Sequence, residues 1–148
     1  MFKTIYLNFL LVTGITLSSC ADNFVSSIPN TDFELQINLN IYNDLLVPGG
    51  AKYFSAGGYS GVWVINSPIL SGENNPFIAF DACCPYESKH DIIVKNKGTY
   101  AECDSCHTIY NWQIDGSVLA GDSLGGLGTE PLRPYSISKT GSMLTVFN

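Results

Sequence analysis

The chain has 148 residues, of which 45% are apolar and 14% are charged, and its formal net charge at neutral pH is −6. This length suits one domain of common size, and the composition argues against disorder for most of the chain. An acidic chain without a basic cluster is not expected to bind nucleic acid or an anionic lipid surface.

The N-terminus has the pattern of a secretory signal peptide. Lys3 precedes an apolar run from about Ile5 to Leu17, and this run is shorter than the roughly 20 residues of a membrane-spanning helix. The residues Leu17-Ser18-Ser19-Cys20 resemble the lipobox of bacterial lipoproteins, a family in which the cysteine receives a diacylglyceryl group and the preceding residues are removed. We therefore expect a signal peptide at residues 1–19, lipid attachment at Cys20 and a location in the cell envelope. The outer membrane is favoured because no charged residue directly follows Cys20.

The mature chain is predicted to begin with a tether and to continue as one domain. Removal of 19 residues would leave 129, with 6 basic and 13 acidic side chains and a formal charge of −7. Residues 20–32 are short, polar and contain Pro29, so we assign them to a tether and place the domain at residues 33–148. Apolar and polar residues alternate over Phe33–Asn40, which predicts a strand with one buried face. A turn at residues 48–50 then precedes a second strand near residues 52–54.

The rest of the domain is also predicted to consist of short strands. Further apolar runs of strand length lie at residues 61–66, 77–80, 91–95 and 108–114. Asp115-Gly116 predicts a hairpin turn with a returning arm at residues 117–120, and residues 139–142 predict a turn between two C-terminal strands. No segment has the pattern of an amphipathic helix, so the predicted fold class is all-β, an antiparallel sandwich or barrel-like domain. The glycine-rich segment Asp122–Thr129 lacks the lysine and serine of a phosphate-binding loop and is predicted to be a surface loop.

Two short segments hold the four cysteines other than Cys20. Cys83 and Cys84 are adjacent, while Cys103 and Cys106 have Cys-x2-Cys spacing and are followed by His107. The intervening residues are predicted to form a strand and a turn, which would bring the two segments together. Thiolates bind zinc and iron tightly, so the pattern indicates a metal site, although an exported compartment also permits disulfides.

The spacing of these cysteines resembles the ligand pattern of the Rieske iron–sulfur family. That pattern is Cys-x-His, about fifteen to seventeen residues and Cys-x2-His, and it holds a [2Fe-2S] cluster through two cysteines and two histidines. Here Cys84-Pro85-Tyr86 stands at the first motif, and Cys103 to Cys106 stands at the second after sixteen residues. Tyr86 and Cys106 thus occupy the places of the two histidines.

The resemblance continues beyond the ligand motifs and is strongest to bacterial Rieske-like lipoproteins. Thr108 and Tyr110 match a serine and an aromatic residue that follow the second motif, and they would lie beside the ligands. Residues 115–121 and 131–135 resemble a hairpin and a proline–leucine segment of the family. The fold that the family implies is a Rieske-like fold of three small antiparallel sheets, with two site-bearing loops at the tip.

Three interpretations of the site remain open. The first is an iron–sulfur cluster with altered ligands, and the second is a structural zinc ion on the same ligands. The third is a site without metal, in which a disulfide from Cys84 to Cys103 or to Cys106 stabilises the fold by roughly 2–4 kcal/mol. The candidate ligands are Cys84, Cys103 and Cys106, with His107, Cys83 or Tyr86 as a fourth.

Two functions follow from these interpretations. With a cluster, the protein would be a one-electron carrier held at the membrane by its lipid, passing electrons to an oxidoreductase partner. Without a cluster, it would be an envelope protein with a binding or structural role. Neither His90 nor His107 accompanies a nucleophile motif, so no catalytic residue is assigned and enzymatic activity of the chain alone is not predicted.

Overall fold

The computed structural model describes residues 26–119 and 128–148. Within these ranges the chain forms short strands and a single turn of 3-10 helix at Asn43–Leu46, which confirms the predicted all-β class. The strands are β1 (Glu34–Asn38), β2 (Ala51–Phe54), β3 (Val62–Asn66), β4 (Phe77–Asp81), β5 (Val94–Asn96), β6 (Ala101–Cys103), β7 (Ile109–Asn111), β8 (Ser117–Val118), β9 (Pro134–Thr140) and β10 (Met143–Phe147). The predicted signal peptide, Cys20 and most of the predicted glycine-rich loop lie outside the described residues.

The strands form two antiparallel sheets. The larger sheet has the order β1-β10-β9-β4-β3-β2, and the smaller one holds β5, β6, β7 and β8 in chain order. In the larger sheet, β4 and β9 meet through the pairs Ala79–Tyr135 and Phe80–Pro134, so two three-stranded halves are joined at a narrow contact. The small antiparallel sheets implied by the family resemblance are therefore present, with two of the three joined together.

Two groups of buried side chains form the core. The first lies on the larger sheet and includes Ile37, whose partner across the strand pair is Leu144. The second surrounds Tyr110 and Trp112, which are both fully buried. The second group also contains three cysteines, namely Cys84, Cys103 and Cys106. These thiols therefore belong to the packed interior.

The smaller sheet is connected to the first cysteine segment by residues just before β5. The strand predicted at residues 91–95 begins later, at Val94, because Ile92 and Ile93 pair with the cysteine segment instead. The Cys84 backbone N–H donates a 2.9 Å hydrogen bond to the Ile92 carbonyl, and Cys83 forms an isolated β-bridge with Ile93. These contacts fix the first cysteine segment to the sheet that carries the second.

The hairpin after the second cysteine segment depends on a glycine. β7 ends at Asn111, earlier than the predicted strand, because the Asn111 carbonyl accepts hydrogen bonds from the backbone N–H groups of residues 114–116. Gly116 then adopts a φ of +74°, and an added Cβ would lie 2.7 Å from the Phe80 ring. Both the backbone conformation and the close approach require glycine, and the chain can then return along β7 as β8.

No helix in the described part of the chain is long and apolar enough to cross a bilayer. Residues 26–32, which the sequence assigns to the tether, contact the domain. Ile28 is 1% exposed, and its carbonyl accepts a 2.9 Å hydrogen bond from Arg133.

Candidate metal centre

The two cysteine segments form facing loops at one end of the smaller sheet. The first loop follows β4 and turns back through a hydrogen bond from the Ser88 N–H to the Cys84 carbonyl. The second connects β6 to β7 and is closed by a 2.8 Å hydrogen bond from the His107 N–H to the Cys103 carbonyl. His107 has a φ of +56°, the left-handed conformation that lets the chain reverse direction here.

Three sulfur atoms from the two loops converge in the protein interior. The Sγ atoms of Cys84, Cys103 and Cys106 all lie within 4.8 Å of one another, and those of Cys84 and Cys106 are 3.5 Å apart. Cys84 and Cys103 are fully buried, and Cys106 is 3% exposed. The structure thus brings together all three thiols that the sequence proposes as principal ligands.

Two hydroxyl groups lie next to these sulfurs. The Tyr110 hydroxyl is 3.6 Å from the Cys84 sulfur, and the Thr108 hydroxyl is 3.1 Å from the Cys106 sulfur. Thr108 also accepts a 2.7 Å hydrogen bond from the Gly128 N–H, which leaves its own O–H free to donate to Cys106. The hydroxyl groups of Tyr110 and Thr108 therefore lie beside the thiols.

The thiols have very different proton affinities. A hydrogen bond from the Cys84 thiol, together with backbone N–H groups of the second loop, lowers the pKa of Cys103 to about 5. The same hydrogen bond and burial raise the pKa of Cys84 above its usual range. Burial, reinforced by the neighbouring Cys84, raises the pKa of Tyr110. The surroundings therefore favour the thiolate at Cys103 over the thiolate at Cys84, and a thiolate is the form that binds metals.

The three candidates for a fourth ligand lie elsewhere. The His107 side chain is 64% exposed and its Nδ1 lies 3.5 Å from a Glu102 carboxylate oxygen. Tyr86 is 51% exposed. The Cys83 sulfur is 3.3 Å from the Lys89 carbonyl, and burial raises the pKa of Cys83 to about 11. None of the three belongs to the group of converging sulfurs in the described part of the chain.

The distances between the sulfurs fit one metal ion better than a two-iron cluster. Zinc–sulfur bonds of about 2.3 Å in a tetrahedron place neighbouring sulfurs about 3.8 Å apart, close to the spacing seen here. A [2Fe-2S] cluster takes four protein ligands, two on each iron, and ligands on different irons are further apart than ligands on one ion. Three sulfurs within 4.8 Å, with no histidine, carboxylate or fourth cysteine grouped with them in the described residues, do not provide that arrangement.

A buried carboxylate that the sequence analysis missed positions the first loop. Asp81 is fully buried at the end of β4 and accepts hydrogen bonds from the backbone N–H groups of Tyr59 and Cys83, at 2.5 and 2.8 Å. It also accepts a 2.6 Å hydrogen bond from the Tyr135 hydroxyl. The available signal was an acidic residue directly after a wholly apolar strand, two positions before Cys83. Asp81 therefore ties the start of the cysteine loop to two other parts of the chain.

Comparison with known proteins gives structural matches alone. No family model and no curated protein matches the chain. The ferredoxin of carbazole 1,9a-dioxygenase from Nocardioides aromaticivorans IC177 is 16% identical, with 80% of this chain and 98% of that chain covered and a TM-score of 0.47. A ferredoxin from Sphingomonas yanoikuyae B1 is 15% identical, with 69% and 88% covered and a TM-score of 0.45. A protein proposed to be the small subunit of an NADH-dependent nitrite reductase from Mycobacterium tuberculosis is 14% identical, with 80% and 97% covered and a TM-score of 0.46. Similarity at this level does not assign a function, which has to be inferred from the site.

Proposed function

We propose that the chain is an envelope lipoprotein that binds one metal ion through Cys84, Cys103 and Cys106. The convergence of three buried sulfurs within 4.8 Å supports this proposal. Thiolates are soft ligands that favour zinc, iron or copper(I), and a bound ion would hold the two loops together. With iron, the centre would exchange single electrons, which is the role that the resemblance to Rieske domains implies.

The proposal includes attachment to the membrane through Cys20. Several acyl chains, each contributing roughly 0.8 kcal/mol per buried methylene, would hold the mature chain firmly in a bilayer of the cell envelope. The outer membrane is favoured by the absence of a charged residue directly after Cys20. With iron in the centre, the partner would be a redox protein of the envelope.

Metal analysis of the mature chain purified without oxygen tests the proposal. We expect one ion per chain and no acid-labile sulfide. Iron and sulfide in equal amounts would show that the site holds an iron–sulfur cluster and not a single ion. Metal-free protein with four free thiols would refute metal binding. Cys106→Ser should lose the ion, while Cys83→Ser serves as the matched control and should retain it, since Cys83 faces the Lys89 carbonyl.

A disulfide between Cys84 and Cys106 is the second candidate, because their sulfurs are already 3.5 Å apart. A disulfide requires an S–S distance of about 2 Å, so a small closing of the two loops would be sufficient. Peptide mapping without reductant distinguishes the candidates. A Cys84–Cys106 cross-link with Cys103 free would favour a stapled domain with a structural role over a metal centre.

A further inference from the structure

The first described residues of the chain pack against the first cysteine loop. The Ser27 hydroxyl donates a 2.9 Å hydrogen bond to the Pro85 carbonyl and lies 3.0 Å from the Ser88 hydroxyl. The Ser26 hydroxyl and the Ser27 N–H both donate to one carboxylate oxygen of Glu130, at 3.0 and 2.7 Å. We call residues 26–28 the N-terminal strap and residues 85–88 the site loop.

Burial and a cation hold the end of the strap in place. The Ile28 side chain is 1% exposed, so movement of the strap away from the domain would expose an apolar side chain to water, which is unfavourable. Arg133 donates a 2.9 Å hydrogen bond to the Ile28 carbonyl, one residue after the Ser27 contacts. The strap is therefore a fixed part of the domain surface and not a free linker.

The strap lies close in sequence to the predicted lipid. Five residues lie between Cys20 and Ser26, which makes six steps from one Cα atom to the next, and a fully extended chain spans at most about 3.3–3.6 Å per residue. Ser26 must then lie within about 20 Å of the anchored residue, and the site loop contacts the residue that follows it. The Glu130 carboxylate, which accepts hydrogen bonds from the strap, lies under the same limit.

We propose that the N-terminal strap orients the domain on the membrane, with the site loop facing the bilayer surface. The inference rests on lipid attachment at Cys20, which belongs to the proposed function. Tyr86, at the centre of the site loop, is 51% exposed, and an exposed tyrosine suits a membrane–water boundary because it combines an apolar ring with a polar hydroxyl. The partner that this surface fits is thus the lipid headgroup layer.

Charge does not provide this orientation. The site loop carries Glu87, whose nearest cation, Lys89, is 3.8 Å away, so this part of the surface is not basic. The short covalent connection orients the domain instead, and the orientation should not depend on anionic lipids. The buried thiol centre behind the loop would then lie on the side of the domain that faces proteins embedded in the same membrane.

The test uses the mature acylated chain in lipid nanodiscs that contain a gadolinium-chelating lipid. Amide NMR signals of residues 86–88 should broaden severalfold more than those of the turns at Gly98 and Gly141, relative to discs with a diamagnetic chelate. Gly98 lies at the far end of the β5–β6 hairpin from the cysteine loops. Gly141 lies at the opposite end of β10 from Asn148, which hydrogen-bonds to Thr31 beyond the strap.

Two variants separate the strap from other causes. Insertion of a glycine–serine segment after Asp22 keeps the strap intact but lengthens the connection, and Glu130→Ala with Arg133→Ala releases the strap. Each variant should reduce the difference in amide broadening between the site loop and the two turns. Equal broadening of the site loop and the two turns in the unchanged protein would overturn the proposed orientation. A difference in broadening that requires anionic lipids would also overturn it. A mature chain whose mass shows no acyl group would instead overturn the proposed lipid anchor.

Discussion

Replacement of Asp81 by asparagine should destabilise the domain far more than an ordinary loss of one charge. The carboxylate accepts hydrogen bonds from the N–H groups of Tyr59 and Cys83 and from the Tyr135 hydroxyl. Hydrogen bonds to a charged group contribute about 1.5–3 kcal/mol, against about 0.5–1.5 kcal/mol for neutral pairs. Asparagine therefore weakens the remaining bonds and turns an NH₂ group towards a buried donor, which costs about 1–3 kcal/mol more. We expect the free energy of unfolding to fall by about 3–5 kcal/mol.

Urea denaturation followed by fluorescence of Trp63 and Trp112 measures this change. Asp44→Asn is the matched control, because Asp44 is an exposed acid that pairs with Lys52 at 3.1 Å, and its loss should cost less than about 1 kcal/mol. If Asp81→Asn does not fold, Tyr135→Phe removes one donor and should cost about 1–2 kcal/mol. A loss below about 1 kcal/mol for Asp81→Asn would refute the role of this carboxylate in positioning the loop.

Three further predictions concern the thiols and the hairpin beside them. His107→Ala should leave the metal content unchanged, because the imidazole is 64% exposed and faces Glu102, and loss of the ion would contradict the three-thiol centre. In reduced, metal-free protein, the pKa of Cys103 is lowered from 9.0 to about 5, so its thiolate stabilises the fold fully above pH 9. This contribution disappears as the pH falls through about 5. The free energy of unfolding, measured by urea titrations, should therefore rise as the pH is raised from about 5 to about 9. Gly116→Ala should lower the free energy of unfolding by about 2 kcal/mol or more, because its Cβ would lie 2.7 Å from Phe80, whereas Gly141→Ala meets no atom within 4 Å and should cost less.

The strands were predictable where one face of each is buried and the other is solvated. β1 lies within the predicted Phe33–Asn40, and the C-terminal hairpin follows the turn expected at residues 139–142, because period-two alternation fixes which side chains enter the core. Strand ends were less predictable. β7 stops at Asn111 because the Asn111 carbonyl closes a turn, and no local apolar pattern encodes that hydrogen bonding.

The three cysteines of the candidate site could be predicted from the sequence, but the fourth ligand could not. The spacing of Cys84, Cys103 and Cys106 places three sulfurs on two loops that face each other, and burial then follows from the surrounding core. His107 was a candidate because it follows Cys106 directly, but its positive φ turns the backbone and leaves the ring in solvent. The position of Asp81 after an apolar run was visible in the sequence, but its hydrogen-bond donors were not, because they include groups up to 54 residues away.

The location of the three thiols inside the second core has a consequence for exchange of the proposed ion. Water and chelators reach a fully buried sulfur when the surrounding packing opens, so the lifetime of the bound state would follow the opening rate of the region around Trp112. A moderate affinity could then accompany very slow release. The identity of the ion would be decided when the chain folds after export, and later changes in metal supply around the cell would affect newly made protein first.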